Sequence, residues 1–284
     1  MKLPRRRILS PLARAFETRA KEWCRVRIPE DGTRLLDGGV LLRRFRLPSP
    51  DAGLRGRRIA YLSDLHFHCT ADETRRIEAL AAALEEIGAD ALLTGGDLTG
   101  DACDLPQLVE MLRRLSGCVP FAVAVPGNWE RGKCWLSVDF WRNTYAKGGF
   151  ILLSNEERDF GLFSVYGGDD LVHGDPELPP ESFPSGGGPR ILLVHRPDAV
   201  VSYDCGDRLS HFSLALCGHT HGGQWRLPVF GAAFVPSFYG RRFDRGWFRH
   251  GESGLPMFVS SGFGELSLPW RFNCRREAAV IDFV

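Results

Sequence analysis

From Arg57 onward, short apolar runs that end in polar residues alternate with stretches of helical period. Arg58–Ser63 (RIAYLS) predicts a buried strand. Ala71–Ile87 sets Ile77, Leu80, Ala81, Leu84 and Ile87 on one stripe, and Gly88 supplies the stop of an amphipathic helix. Ala91–Thr94 predicts a second strand, Pro106–Leu115 a second helix, Phe121–Val125 a third strand and Trp135–Ala146 a third helix. Phe150–Leu153, Leu162–Tyr166, Ile191–His195, Leu214–Cys217, Met257–Ser260 and Ala278–Phe283 continue as strands. The first half therefore runs β-α-β-α-β, which implies right-handed crossovers and a parallel core. The second half is strand-rich, and two packed sheets with helices outside accommodate both. Residues 174–189 form a Pro/Gly stretch too long for a simple connector, either a lid or a disordered excursion.

The N-terminus carries a different pattern. Ile8, Leu12, Phe16, Ala20 and Trp23 recur at helical spacing, and residues 1–27 hold nine Lys/Arg against Glu17 and Glu22. That is a charge of +7, against −6 for the remaining 257 residues. A basic amphipathic helix can lie on an anionic membrane, each cation contributing roughly 1 kcal/mol. Packing on the chain's own domain, or disorder, are the competing expectations. The chain divides accordingly into a lead-in, residues 1–55, and a main domain, residues 56–284.

Strand ends hold the chemistry. Asp64 and His66 follow the first strand in Ser-Asp-Leu-His, and two residues apart in an extended segment point the same way. Asp97 follows the second in Gly-Gly-Asp, and Asn128 the third in Pro-Gly-Asn. His195 ends a later strand, and His219 and His221 follow another in Cys-Gly-His-Thr-His-Gly-Gly-Gln. In open α/β sheets the carboxyl ends of parallel strands meet at one rim, so these seven side chains can gather. Each element alone fits a turn or a hydrogen-bonded core residue; five in this order do not. The set suits a pair of Mn, Fe or Zn ions sharing one carboxylate, which clamps an in-line displacement at phosphorus.

This order resembles the calcineurin-like metallophosphoesterase superfamily, whose pattern is Asp-x-His, Gly-Asp, Gly-Asn-His, a lone His and Gly-His-x-His. It is most similar to the bacterial branch ending in Gly-His-Thr-His-Gly-Gly-Gln, which includes small phosphodiesterases and a lipid A pathway UDP-diacylglucosamine pyrophosphatase. The similarity runs from about Gly56 onward, through Gly-Gly-Asp-Asp at 167–170 and Leu-Pro-Trp-Arg-Phe-Asn-Cys at 268–274. It implies an α/β fold, a four-layer αββα sandwich of two mixed sheets. It also implies that Asp64, His66 and His221 hold a first metal, Asn128, His195 and His219 a second, and that Asp97 bridges them. The expected cofactors are two divalent ions, manganese ahead of iron or zinc.

One position departs from that pattern. Where the family has Gly-Asn-His, this chain has Gly127-Asn128-Trp129-Glu130, and an indole cannot serve as a general acid. General acid help is worth about 10²–10⁴-fold. Either the substrate has a good leaving group, or His68 or His173 acts instead. The absence of an Arg-Gly pair after the second motif sets protein Ser/Thr phosphatases aside. Gly100, three residues after Asp97, sets aside purple acid phosphatases, which place a tyrosine there.

The expected activity is hydrolysis of a phosphodiester or pyrophosphate by a metal-bound hydroxide, on a lipid-linked or nucleotide-sugar substrate. A non-catalytic metal-binding scaffold for a protein partner, marked by Trp129, is the alternative. Phe230, Phe234, Phe238, Tyr239, Trp247 and Phe248 read as core rather than binding surface, although they could line an apolar groove beside the metals. The acidic main body lacks a basic stripe and disfavours nucleic acid. Eight scattered cysteines without Cys-x-x-Cys fit reduced thiols. No run approaches the ~18 apolar residues of a membrane span, and the N-terminus lacks the apolar core of a secretory signal. The expected location is cytoplasmic, with peripheral contact on the inner membrane face through the N-terminus.

Overall fold

A computed structural model of the chain describes residues 18–49, 51–100, 104–133, 136–181, 188–266 and 268–284. Three strands, β1 (Trp23–Val26), β2 (Arg34–Leu35) and β3 (Val40–Leu47), precede β4 (Arg58–Leu62). There follow α1 (Ala71–Ile87), β5 (Ala91–Thr94), α2 (Leu105–Ser116), β6 (Ala122–Ala124), α3 (Val138–Lys147) and β7 (Ile151–Leu152). The second half contributes β8 (Glu156–Asp159), β9 (Ser164–Gly167), β10 (Arg190–Leu193), α4 (Pro197–Ser202) and β11 (Leu214–Cys217). A small hairpin of β12 (Arg226–Leu227) and β13 (Gly231–Ala232) leads to β14 (Gly246–His250), β15 (Pro256–Val259) and β16 (Arg276–Phe283).

The strands form two seven-stranded mixed sheets, ordered β2-β3-β16-β4-β5-β6-β7 and β1-β14-β15-β11-β10-β9-β8. In the first, β4 to β7 are parallel and β16 lies antiparallel to β4; in the second, β9, β10, β11 and β15 are parallel. Alternation along buried strands explains the layering. Ile59 and Tyr61 face the second sheet and pack with Ile191, Leu216 and Phe258, while Ala60 and Leu62 face Leu80 and Leu84 of α1. On the far side, Val200 and Val201 of α4 cover Leu192 and Ala215 with Phe243 and Phe248. The molecule is thus a four-layer αββα sandwich.

Several expectations change here. Residues 23–47, grouped in the sequence with the lead-in, supply an edge strand to each sheet and the partner of β16, so no structural break falls at 55/56. Trp23, assigned above to a helical stripe, is buried in β1; of that stripe only Ala20 and Trp23 lie inside the described residues. The third helix begins at Val138, where Ser137 caps it by accepting from the Phe140 N–H. Part of the 174–189 stretch, residues 182–187, lies outside the described residues. Among the described residues no helix is long and apolar enough to cross a membrane, and the six described cysteines form no disulfide with one another.

Candidate metal centre

The polar residues that end the parallel strands of both sheets meet at one rim. Asp64 and His66 come from the loop after β4, Asp97 from that after β5 and Asn128 from that after β6. His195 follows β10, and His219 and His221 follow β11. All except the half-buried Asn128 are buried. Asp64, His66 and His221 form one group of converging donor atoms; Asp97, His195 and His219 form another.

The backbone that achieves this is not extended, as the two-apart spacing had suggested. Asp64, His66, Asp97, His219 and His221 all adopt left-handed φ angles between 45° and 67°. Such angles are uncommon for residues with a Cβ and persist where surrounding contacts enforce them. Gly96 and Gly127 are required because the two loops lie against one another: a Cβ on either would collide with the other loop's backbone.

In the first group, His66 Nε2 lies 3.0 Å from His221 Nε2, which lies 3.5 Å from Asp64 Oδ1. In the second, His195 Nε2 lies 3.1 Å from His219 Nδ1, 3.0 Å from Asn128 Oδ1 and 3.4 Å from Asp97 Oδ2. The same Asp97 oxygen is 3.7 Å from His66 Nε2, so one carboxylate faces both groups. Metal–nitrogen bonds of about 2.1 Å at right angles place two nitrogens about 3.0 Å apart, which is the spacing found. His195 Nδ1 lies 2.7 Å from the Gly95 carbonyl, which can only accept; this places a proton on Nδ1 and leaves Nε2 as the nitrogen that faces the cluster. The donor set therefore fits a pair of divalent ions.

Electrostatics agree with a site built around positive charge. Burial pushes the Asp64 carboxyl up to about 6, and Asp97 adds to the push. Burial likewise holds His66 down to about 4, and His219 and His221 well below the usual imidazole range. Burial opposes charge at His195 too, but the adjacent Asp97 outweighs it and pushes that imidazole up to about 10. Two buried carboxylates so close to four imidazoles are what divalent cations would neutralise.

Residues 57–223 match the calcineurin-like phosphoesterase family, well over half of the chain. The chain belongs to the calcineurin-like phosphoesterase family. It is similar to the phosphodiesterase YaeI of Escherichia coli (strain K12), 30% identical over 233 residues that cover 80% of this chain and 82% of that protein. It is also similar to the uncharacterized metallophosphoesterase YkuE of Bacillus subtilis (strain 168), 28% identical over 248 residues, covering 80% and 79%. Among solved structures, a dimetal phosphatase from Danio rerio covers 73% of this chain and 88% of its own, at 13% identity and a TM-score of 0.47. The chain is a metallophosphoesterase, and its two buried groups make a dinuclear divalent metal centre.

Around this calcineurin-like centre, the residues named as substitute acids stand outside the cluster. Trp129 is buried with its ring 4.6 Å from that of His66, and its backbone N–H donates to Asp97 Oδ1 at 2.8 Å. His68 lies on the outer side of the indole, ring centroids 6.5 Å apart, with Nδ1 3.3 Å from Glu73. His173 lies on the other flank, Nδ1 3.2 Å from Asp170 and 3.4 Å from an Arg196 nitrogen. Both rings are partly exposed.

Three supporting residues were missed from sequence. Glu130, fully buried, accepts from the N–H groups of Asp97, Leu98 and Gly127 and from the Tyr145 hydroxyl. It thereby joins the Asp97 loop to the Asn128 loop. Arg196 donates to Asp170 at 2.7 Å and to Asn128 Oδ1 at 3.2 Å, and stands 2.6 Å from His219 Nε2. Ser63 donates to Asp64 Oδ2 at 2.6 Å, and the His219 N–H donates to the same carboxylate. The only sequence signal for Glu130 and Arg196 was adjacency to Asn128 and His195.

Proposed function

We propose that the chain hydrolyses a phosphodiester or pyrophosphate bond, with lipid-linked substrates ahead of nucleotide sugars. In this reading Asp64, His66 and His221 hold one ion, Asn128, His195 and His219 hold the other, and Asp97 is shared. The observation that carries it is the single Asp97 oxygen facing nitrogens of both groups. When bound, the ions supply Lewis acidity at the phosphoryl oxygens and lower the pKa of water, and manganese is the ion expected first.

The chain's own residues then position and shield. Glu130 fixes the bridging carboxylate's loop, and Arg196 orients Asn128 from behind. Trp129 closes one side of His66 with an apolar ring and has no proton to give a leaving group. Protonation falls either to nobody, which suits a pyrophosphate or an acidic alcohol, or to His68 or His173 at the rim. Support for a lipid-linked substrate is an apolar cleft of about 230 Å³ lined by Gly223, Gln224, Trp225, Phe234, Leu266 and Leu268. Thr220, which sits between His219 and His221, forms its inner wall. Likeness to a named phosphodiesterase over most of the chain supports the diester. Described cysteines that form no disulfide with one another support a reducing compartment such as the cytoplasm.

Turnover of bis-p-nitrophenyl phosphate with added Mn²⁺ tests the reading. Activity should vanish with EDTA and fall by about 10³-fold or more in Asp97→Ala, which removes the shared ligand. Equal rates in the two proteins would leave a metal-binding scaffold as the better account.

A further inference from the structure

The aromatic residues near the C-terminus divide sharply. Trp247 and Phe248 are buried as core, but Phe230, Phe234 and Phe238 are 74%, 70% and 72% exposed, and Val229 is fully exposed. Leu268 and Trp270 on the adjoining loop are also about half exposed. That loop is tied alongside the β12–β13 hairpin by the Arg226 N–H to the Phe272 carbonyl and by the stacking of Trp225 on Trp270 at 4.3 Å. The result is one contiguous apolar surface, of the kind that marks an interaction site.

The hairpin tip is costly to build this way. Val229, a β-branched residue, has a left-handed φ of 69°, where glycine or asparagine would sit without strain. A turn made only for connection would not need an apolar side chain there.

Charge narrows the occupant. Residues 222–243 contain Arg226, Arg241 and Arg242 and no Asp or Glu; residues 266–275 contain Arg271 and Arg275 and again no acid. Arg241 and Arg242 are exposed at the patch, where Arg241 donates to the Phe230 carbonyl. Arg242 donates to the carbonyls of Ala20 and Trp23, so the described chain starts at this same face. The residues before it include Lys2, Arg5, Arg6, Arg7 and Arg14, with no acid before Glu17. Arg226 is paired with Asp244 and Asp198 is buried beneath the Phe238 N–H, so Arg241 and Arg242 carry the exposed charge here; aromatic side chains beside exposed cations match an anionic lipid surface.

We infer that the β12–β13 hairpin and the Phe234–Phe238 loop insert into an anionic bilayer and hold the metal centre at its surface. Phe234 lines the cleft that runs to Thr220, so the inserted face and the centre are continuous. This extends the lipid-linked reading above from the substrate to the membrane that carries it.

The test sediments the full chain with vesicles of phosphatidylcholine alone and of phosphatidylcholine with about 30% phosphatidylglycerol. Partition onto the anionic vesicles should exceed the neutral ones by about tenfold or more, and the Phe230→Ser/Phe238→Ser variant should lose about tenfold. Val229→Gly relieves the strained φ, so it should keep the fold while weakening vesicle binding. Hydrolysis of soluble bis-p-nitrophenyl phosphate should be unchanged in both variants. The inference is overturned if the unmodified chain stays in the supernatant, or if both variants sediment as it does. A dimer in sedimentation velocity that these changes dissolve would likewise overturn it, assigning the patch to a second copy. Vesicle binding that depends on the hairpin in a protein without diesterase activity would sink the catalytic reading and support this one.

Discussion

Glu130 illustrates how much of a metal site lies behind its ligands. Its carboxylate accepts from four backbone N–H groups, those of Asp97, Leu98, Thr99 and Gly127, and from the Tyr145 hydroxyl. Glu130→Gln keeps the shape but turns an NH₂ toward some of those donors. That should cost about 2–4 kcal/mol and loosen the Asp97 loop. Urea unfolding and metal content measured together check it; a variant with unchanged values in both would show that the carboxylate is dispensable. Trp129 yields a second prediction. Trp129→His restores a titratable ring at the family's position, so hydrolysis of alkyl phosphodiesters should gain about 10–100-fold relative to p-nitrophenyl diesters. An unchanged ratio would mean that protonation of the leaving group does not limit this enzyme. At this scale the gathering of these seven residues at one rim was legible because each is a polar residue that follows an apolar strand. Glu130 and Arg196 were not, because a buried acid and a buried guanidinium look like surface charges until the loops are folded together.

Elements with one dominant pattern were read almost to the residue. The α1 stripe ends at Gly88, whose φ of 65° is the left-handed stop anticipated for it. Strand β3 escaped because its sequence, VLLRRFRL, interrupts the apolar alternation with three arginines whose partners are distant in sequence. Two of those arginines find carboxylates from β16: Arg43 with Glu277 and Arg44 with Asp282. Asp282 also accepts from Arg58 of β4 at 2.7 Å, so one carboxylate clamps three adjacent strands. Burial alone would raise its pKa, but the hydrogen bonds from Arg44 and Arg58 outweigh it and hold the carboxyl below its usual value. A carboxyl depressed on folding adds stability above its unfolded value of about 3.9, and that stability is lost as pH falls through the folded value. Asp282→Asn should therefore destabilise the protein at pH 7, and the gap to the unmodified protein should close as pH drops below about 4. Urea midpoints at the two pH values measure it, and a gap that widens in acid contradicts the clamp. The left-handed ligands are the other lesson of this scale: spacing of two suggested a strand, whereas loop packing at Gly96 and Gly127 imposed a tighter path.

Each half of the metal centre draws on both sheets. The first group joins Asp64 and His66, after β4 of the first sheet, to His221 after β11 of the second. The second joins Asp97 of the first sheet to His195 and His219 of the second. Away from this rim, where the His219 N–H donates to Asp64 and His195 faces the Gly95 carbonyl, the sheets meet through apolar side chains such as Tyr61, Val123, Leu193 and Phe258, a contact that is strong but not directional. Ions held by these groups would add to that polar fastening between the layers, and any ligand that binds only the folded state adds stability by mass action. At a free concentration about 100 times its dissociation constant, each ion adds about 2.7 kcal/mol. With roughly 2–4 °C per kcal/mol for a chain near this size, saturating Mn²⁺ should raise the melting temperature of EDTA-treated protein by about 10 °C or more. Because Asp64 serves one group and Asp97 faces both, Asp64→Ala should keep roughly half of that gain and Asp97→Ala almost none. The ordering matters more than its size. If the Asp97 variant were stabilised as much as the unmodified chain, ions would be binding elsewhere, and the idea that they lock one sheet to the other would fail even if the enzyme remained active.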